Sequence, residues 1–234
     1  MHPASIFIVD DHPLVRHGLR QLINGESGLS VCGDAGSASE AMKSIPSPLP
    51  DLAIIDLSLP DSHGLKLIQR LLSRYPELSI LVSSMHDENL FAERALKVGA
   101  KGYINKAATG DEVIAAINQI LSGKNYLSAQ LVEHLALQNT GNSLQSEQSE
   151  QSEQSEQSEQ SEQSEQSRIK KLSNRELEVF EFIGRGLSTG EIAKKLNLSI
   201  KTIESHRANI KKKLGLTSSG ELARNAMQWS LESI

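Results

Sequence analysis

The chain has 234 residues, a length typical of about two domains, and a formal net charge of −5. No apolar run is long enough to span a membrane and no signal peptide is recognised, so we expect a cytoplasmic protein with no membrane partner. The single cysteine, Cys32, excludes an internal disulfide and a cysteine-based metal site. Because its neighbours are apolar, it is predicted to be a buried core thiol.

The charge is unevenly distributed along the chain. Residues 1–145 carry 11 Lys or Arg and 15 Asp or Glu, a balance of −4. Residues 146–167 carry seven Glu and no base, whereas residues 168–234 have a balance of +6. A small basic segment on an acidic chain indicates nucleic-acid binding.

Apolar runs alternate with amphipathic segments in the first 125 residues. Five runs predict strands: 5–9, 29–33, 52–56, 80–84 and 102–105. They are apolar nearly throughout, as expected for parallel strands covered on both faces. Helices are predicted at 13–23, 38–45, 64–75, 89–99 and 111–123. The alternation predicts an α/β domain over residues 1–125, with a five-stranded, doubly wound parallel sheet.

The middle of the chain is predicted to connect two domains over residues 126–167. A helix is expected at 129–138, and the triplet Ser-Glu-Gln then repeats seven times over 146–166. The repeats contain no apolar residue, and their period of three does not match the helical 3.6. We therefore predict a flexible, extended acidic linker, with a solvated helix as the alternative.

The last part, residues 168–234, has four helical patterns and no strand pattern, which predicts an all-α, four-helix domain. Three patterns begin with a capping box, in which a serine is followed three residues later by Glu: Ser173, Ser188 and Ser218. The last helix carries an apolar stripe that would serve either as a dimer contact or as core packing: Leu222, Ala226 and Trp229.

The third of these helical patterns, residues 199–215, has Ser199 as a candidate cap and Gly215 at its end. Its apolar residues lie on one side: Ile200, Ile203, Ile210 and Leu214. A short helix precedes it across a turn, which is a helix-turn-helix layout whose second helix enters the major groove. The alternative is an ordinary basic surface helix.

Polar side chains follow the predicted strands where each strand ends. The first strand ends in Asp10 and Asp11, the third in Asp56, the fourth in a serine pair that includes Ser84, and the fifth before Lys106. Ligands of open α/β sheets bind at this edge. Clustered carboxylates are costly without a cation, and hard oxygen ligands favour Mg²⁺. Such a site suits a phosphoryl group; the alternative is surface acids that are each paired or solvated.

Four segments resemble the receiver domain of bacterial response regulators over residues 5–123: VDDHPLVRHGL, IIDLSLPDSHGL, ILVSSMHDE and GAKGYINK. The resemblance implies a flavodoxin-like fold and a phosphoryl group that Asp56 accepts from a histidine kinase. It implies Mg²⁺ ligands at Asp10, Asp11, Asp56 and the backbone carbonyl of Ser58. It also implies switch residues at Ser84, Lys106 and Tyr103. We predict that His12 and His86, which flank the site, are not catalytic.

The segment LSNRELEVFEFIGRGLSTGEIAKKLNLSIKTIESHRANIKKKLGL resembles the LuxR-type DNA-binding domain, over residues 170–232. The whole chain is therefore similar to the NarL/FixJ class of response regulators. The resemblance implies four base-facing residues: Lys201, Glu204, Ser205 and Ala208. It gives phosphate contacts or helix packing to five more: Thr202, His206, Arg207, Lys211 and Lys212.

The function implied is that of a transcription regulator controlled by phosphorylation, and not an enzyme. Its expected partners are a cognate histidine kinase, double-stranded DNA, a second copy of the chain on phosphorylation, and RNA polymerase. Two alternatives are an aspartate-nucleophile phosphatase and a kinase-independent DNA-binding protein with a vestigial receiver. The phosphatase would need two Asp separated by one residue after the first strand, whereas Asp10 and Asp11 are adjacent there and the candidate nucleophile, Asp56, follows the third strand.

Overall fold

The computed structural model describes residues 3–128, 131–132, 168–169 and 171–232. These residues belong to two compact units, which are described separately below. The Ser-Glu-Gln repeats and most of the helix expected at 129–138 lie outside the described residues. The predicted domain bounds within the connecting region therefore stay predictions.

Over residues 3–128, the first unit has a five-stranded parallel sheet and five helices. In chain order its elements are β1 (Ala4–Val9), α1 (Pro13–Gly25), β2 (Leu29–Ala35), α2 (Ala38–Ser44), β3 (Leu52–Ile55), α3 (Gly64–Arg74), β4 (Ser79–Ser84), α4 (Glu88–Lys97), β5 (Gly102–Asn105) and α5 (Gly110–Leu121). The strand order is β2-β1-β3-β4-β5, and all four pairings are parallel. This order confirms the predicted doubly wound, flavodoxin-like fold.

The strand register aligns the carboxyl ends of the strands. Val9 on β1 pairs with Ile55 on β3, so the next residues, Asp10 and Asp56, emerge side by side. The amide of Asp56 donates to the Val9 carbonyl at 2.8 Å, which extends the ladder by one step. The crevice lies where strand order reverses between β1 and β3, the usual ligand position in this architecture.

Cys32 is exposed, so the prediction of a buried core thiol was wrong. It lies on β2, the edge strand of the sheet. The register shifts there, because Ile6 pairs with Val31 but Phe7 pairs with Gly33. Cys32 is the extra residue of this β-bulge. Its thiol donates to the Ile6 carbonyl at 3.3 Å.

Over residues 171–232, the second unit has four helices: α6 (Asn174–Gly184), α7 (Thr189–Lys195), α8 (Ile200–Leu214) and α9 (Ser219–Glu232). The three predicted capping boxes form: at Ser173 and Ser188, and at Ser218, whose hydroxyl accepts the Glu221 amide at 3.1 Å. Helix α8 is capped by Ser199 and ends at Gly215, which is left-handed with φ 72°. The predicted four-helix domain is therefore confirmed.

Helices α6 and α9 pack closely against each other. A Cβ added at Gly184 of α6 would lie 2.4 Å from the Ala226 carbonyl oxygen of α9, so only glycine permits this approach. Leu222 and Ala226 are fully buried. The apolar stripe of α9 is thus core packing at these two positions. Among the described residues, no helix combines the length and apolar character needed to cross a membrane.

Candidate functional site

Lys106 joins two acids in the crevice at the ends of the strands. Its Nζ lies 2.6 Å from Asp10 Oδ2 and 2.7 Å from Asp56 Oδ2. Both carboxylates are buried, with a side-chain exposure of 3% for Asp10 and 2% for Asp56. The Lys106 amide donates to the Ser84 carbonyl at 2.9 Å, so the backbone of Lys106 is anchored to the last residue of β4. One ammonium therefore neutralises part of a buried acidic pair.

Burial and the charges of neighbouring groups shift the pKa values of Asp56 and Lys106. Burial raises the pKa of Asp56, and the neighbouring Asp10 charge adds to that effect, while Lys106 opposes it. For Lys106, burial alone lowers the pKa, but attraction to Asp56 and hydrogen bonds to both acids outweigh burial and raise it. Lys106 is therefore a cation across the neutral range. The crevice holds a fixed positive charge beside a carboxylate that carries a cost when ionised.

Asp11 completes an oxygen-rich cluster next to this pair. Carboxylate oxygens of Asp10, Asp11 and Asp56 and a ring nitrogen of His12 all lie within 4.8 Å of one another. The His12 side chain is 64% exposed, and its Nδ1 lies 2.6 Å from Asp11 Oδ1. Three carboxylates at this spacing suit a hard divalent cation such as Mg²⁺. The donor set therefore fits the metal that the sequence predicted.

Ser58 and His86 close another side of the crevice. The Ser58 amide donates to Asp56 Oδ1 at 3.2 Å. Its hydroxyl oxygen lies 2.8 Å from His86 Nε2. The His86 amide in turn donates to Ser84 Oγ at 3.2 Å. His86 thus connects the loop after β3 with the end of β4, a positioning role that the sequence did not reveal.

Tyr103 is fully buried on β5. Its hydroxyl donates to the backbone carbonyl of His86 at 2.9 Å. The ring therefore occupies an inward position and is tied to the same segment that Ser84 holds. Together the structure brings Asp10, Asp11, Asp56, Ser58, Ser84, Tyr103 and Lys106 into one region.

Helix α8 presents the predicted DNA-binding residues with different exposures. The four predicted base-facing residues and one lysine are exposed: Lys201, Glu204, Ser205, Ala208 and Lys212. The remaining four are partly buried: Thr202, His206, Arg207 and Lys211. The base-facing set therefore shares one open face, while the second set borders the packed side of the helix.

Three residues refine the prediction for α8. Ile200 shares the apolar spacing of the helix but is 56% exposed, because it is the first residue of the helix and precedes the packed turns. Thr202 donates its amide to Ser199 Oγ at 3.0 Å, so it belongs to the helix cap. Burial lowers the pKa of His206, which leaves its ring neutral at neutral pH.

Lys213 has a structural role that the sequence did not distinguish from those of its neighbours. Its Nζ lies 2.5 Å from Glu176 Oε2 and 3.4 Å from the Lys171 carbonyl oxygen. Burial alone raises the pKa of Glu176, but the hydrogen bonds from Lys213 and Ser173 outweigh it and lower the pKa. The ion pair ties α8 to the start of α6.

Comparisons with known proteins agree with both units. Residues 6–118 match the response regulator receiver domain, and residues 170–226 match the bacterial regulatory proteins of the luxR family. The oxygen regulatory protein NreC of Staphylococcus aureus (strain JH9) is 33% identical over 228 residues, which is 97% of this chain and 98% of that protein.

Two solved structures are also similar. One is RcsB from Salmonella enterica serovar Typhimurium bound to promoter rprA in the presence of the phosphomimetic BeF3−, with TM-score 0.59, 25% identity and coverage of 97% of this chain and 99% of that chain. The other is a LuxR-family two-component response regulator from Aurantimonas sp. SI85-9A1, with TM-score 0.56, 33% identity and coverage of 59% and 99%. The chain therefore belongs to the two-component response regulators that join a receiver domain to a LuxR-type DNA-binding domain, the NarL/FixJ class.

Proposed function

We propose that Asp56 is the phosphoacceptor through which a histidine kinase controls DNA binding by this chain. One observation carries the proposal: the ammonium of Lys106 contacts Asp56 and Asp10 within a crevice that a third acid, Asp11, completes. A structural salt bridge would need one acid. Three acids around one lysine leave negative charge that a divalent cation neutralises.

The transfer uses groups that already face each other. An Asp56 carboxylate oxygen attacks the phosphorus of a phosphohistidine, the phosphorus–nitrogen bond breaks, and the electron pair returns to the kinase imidazole. Lys106 moves from the carboxylates to the new phosphoryl oxygens, which are strong acceptors. The Ser58 amide, 3.2 Å from Asp56 Oδ1, keeps the other carboxylate oxygen in place.

Mg²⁺ would be held by Asp10, Asp11, Asp56 and the backbone carbonyl of Ser58, and it would offset the charge of about −1.5 to −2 that a phosphoryl group adds. The residues present supply the oxygen donors that this ion prefers. Magnesium is accordingly the proposed cofactor for phosphoryl transfer.

The switch would act through Ser84 and Tyr103. Ser84 Oγ now accepts the His86 amide, and its hydroxyl would donate to a new phosphoryl oxygen, which draws the side chain toward Asp56. Movement of Ser84 changes the segment that also holds the Tyr103 hydroxyl. The altered surface near α4 and α5 would favour a second receiver, and a pair of receivers raises the effective concentration of two DNA-binding domains on paired half-sites.

DNA recognition is assigned to the exposed face of α8. Lys201, Glu204, Ser205 and Ala208 would face base edges in the major groove, and Lys212 would contact a phosphate. Thr202, His206, Arg207 and Lys211 would border the backbone of the DNA or the packed side of the helix. A related protein, RcsB, has been solved as two dimers bound to two DNAs, with 25% identity and TM-score 0.55, which supports a dimer on DNA here.

We further propose that the protein acts in the cytoplasm as a regulator rather than as an enzyme, and that RNA polymerase is a further partner. Its proposed domains are a receiver over 1–125, a connector over 126–167 and a DNA-binding domain over 168–234.

The test compares wild type with Asp56→Ala. Intact mass after incubation with a small-molecule phosphodonor and Mg²⁺ should rise by one phosphoryl group in wild type only. DNA affinity should increase with the donor in wild type only. If Asp56→Ala still gains affinity with the donor, the phosphoacceptor lies elsewhere. The exposed Asp51→Ala variant is the matched control and should behave as wild type.

A further inference from the structure

The segment between β4 and α4 is held at one end by the proposed phosphoacceptor site. His86 makes three separate contacts there: its amide donates to Ser84 Oγ at 3.2 Å, its carbonyl accepts the Tyr103 hydroxyl at 2.9 Å, and its Nε2 lies 2.8 Å from Ser58 Oγ. A change at Ser84 therefore alters the course of the chain through His86. The first residue of α4, Glu88, follows two residues later.

The other end of this segment contacts the chain that leaves the first unit. Glu88 Oε2 accepts the Ser128 hydroxyl at 2.9 Å. Ser128 Oγ also accepts the Leu131 amide at 3.1 Å, and the Ser128 carbonyl accepts the Val132 amide at 3.1 Å. Ser128 thus accepts the amides of two helical residues of the connecting region, Leu131 and Val132. One hydroxyl joins the first turn of α4 to the first turn beyond α5.

The chain just before Ser128 is fixed to the sheet. The Tyr126 amide donates to the Lys101 carbonyl at 2.9 Å, and Tyr126 forms a parallel bridge with Gly102. A Cβ at Gly102 would lie 2.9 Å from the Tyr126 carbonyl oxygen, so the two chains approach closely. With Tyr126 held by β5, the Ser128 contact is the place where a movement of α4 reaches the connecting region.

The contact is incompletely satisfied in the present state. Glu88 Oε1 is buried and has no hydrogen-bond partner among the described residues. Burial raises the pKa of Glu88, and the Ser128 hydrogen bonds only partly oppose it. An acceptor that lacks a donor costs free energy when buried. The hydrogen bond from Ser128 is therefore a contact on which this buried carboxylate depends.

We propose that Glu88 and Ser128 form a coupling pair that carries the state of the Asp56 site to the connecting region. The proposal rests on the function proposed above. When the phosphoryl group draws the Ser84 hydroxyl, the His86 amide loses its acceptor and Glu88 moves relative to Ser128. The turn whose amides Ser128 accepts then changes, while Tyr126 stays on the sheet. The connecting region leads toward the DNA-binding domain, so its first turn reports the phosphorylation state.

The experiment measures two quantities on the full chain: phosphoryl uptake by intact mass with a small-molecule phosphodonor and Mg²⁺, and the ratio of DNA affinities with and without the donor. The DNA is a fragment selected from a random library by the phosphorylated wild-type protein. Glu88→Ala and Ser128→Ala should take up phosphate as wild type does. Their affinity ratios should fall at least about threefold, consistent with loss of a hydrogen bond to a charged group.

Three further variants separate coupling from a general effect on folding. Ser128→Thr keeps the hydroxyl and should retain the wild-type ratio. Glu40→Ala removes an exposed acid of α2 that accepts the Gly36 amide at 2.6 Å, outside the surface proposed to pair, and should also retain the wild-type ratio. The double variant Glu88→Ala/Ser128→Ala should lose no more than either single variant, because both remove the same contact.

The possible failures are distinguishable. If wild type takes up no phosphate or gains no DNA affinity, the proposed function fails and the coupling pair fails with it. If wild type behaves as proposed but both single variants keep its affinity ratio, only the coupling pair is overturned. Additive losses in the double variant, or an equal loss in Glu40→Ala, would likewise overturn the pair.

Discussion

Replacing Lys106 by Met should destabilise the first unit strongly, because the lysine is the cation that contacts Asp10 and Asp56. Its Nζ lies 2.6 and 2.7 Å from their oxygens, and side-chain exposure is 9% for the lysine and 3% or less for the acids. Met keeps most of the side-chain volume, so lost packing is small. Removing one partner of a buried ion pair costs about 3–5 kcal/mol. The crevice is open on the Asp11 side, so about 3 kcal/mol is expected at neutral pH.

The loss should shrink as the pH falls. Burial already raises the pKa of Asp56, and Lys106 opposes that rise. Without Lys106 the pKa of Asp56 rises further, and a group whose pKa is higher folded than unfolded stabilises the fold when it takes up a proton. The wild-type lysine has a raised pKa, so its stabilisation is present at all pH values below the ordinary lysine range. The difference in unfolding free energy between Lys106→Met and wild type should therefore decrease as the pH falls. Millimolar Mg²⁺ should decrease this difference too.

Hydrogen exchange of amides in β1 and β3 measures this unit in the full chain, separately from the second unit. A loss of about 3 kcal/mol accelerates exchange through global opening by roughly a hundredfold, after correction for intrinsic rates. Lys124→Met replaces an exposed lysine and should change stability by less than about 0.5 kcal/mol. The electrostatic reasoning would be refuted if Lys106→Met lowered the unfolding free energy by less than about 1 kcal/mol. It would also be refuted if the difference from wild type were the same at pH 5 and pH 7.

Three other predictions concern the second unit and the linker. In fluorescence anisotropy titrations, Glu204→Ala should change the preference at one base position by about 1–3 kcal/mol, and equal losses of affinity for specific and random DNA would contradict its role. Lys212→Ala should instead weaken binding to all DNA sequences and lower the slope of log affinity against log salt by about 1. Gly184→Ala should destabilise the unit by about 1–3 kcal/mol in urea titrations followed by Trp229 fluorescence, because its Cβ would lie 2.4 Å from a backbone oxygen, while Gly190→Ala, with nothing within 4 Å, should not. Deleting two Ser-Glu-Gln repeats shortens the typical end-to-end distance of a flexible linker by roughly a few ångströms, so DNA affinity should stay within about twofold of wild type. A larger change in affinity would indicate a rigid spacer.

The sheet and its acidic edge were predictable because parallel strands buried on both faces leave a simple pattern. Each strand is an apolar run, and the three acids and Lys106 follow where a run stops. In-phase pairing of Val9 with Ile55 then places Asp10 beside Asp56 without further information. The capping boxes were equally readable, because Ser and Glu three residues apart satisfy each other locally.

The remaining features depend on contacts between distant parts of the chain. The pairs Ser58–His86 and Glu88–Ser128 are 28 and 40 residues apart, and no local pattern relates their members. The exposure of Cys32 follows from an edge strand and a β-bulge, neither of which an apolar run reveals. Ile200 fits the apolar spacing of its helix, but spacing does not tell which turns of a helix are covered.

The three consecutive lysines of α8 show how structure divides charges that the sequence presents as equal. Residues 168–234 carry 13 Lys or Arg and seven Glu, a balance of +6, and Lys211, Lys212 and Lys213 are three of those 13 cations. Lys213 is already bonded to Glu176 at 2.5 Å, so contacting a DNA phosphate would require breaking that pair. Lys211 is partly buried and Lys212 is exposed. Since each lysine that neutralises a phosphate adds about 0.9 to the salt slope, the slope should reflect fewer cations than the charge count suggests. Lys213 holds α8 against α6, and its two neighbours are the lysines of this run that the proposed DNA contact can use without breaking that pair.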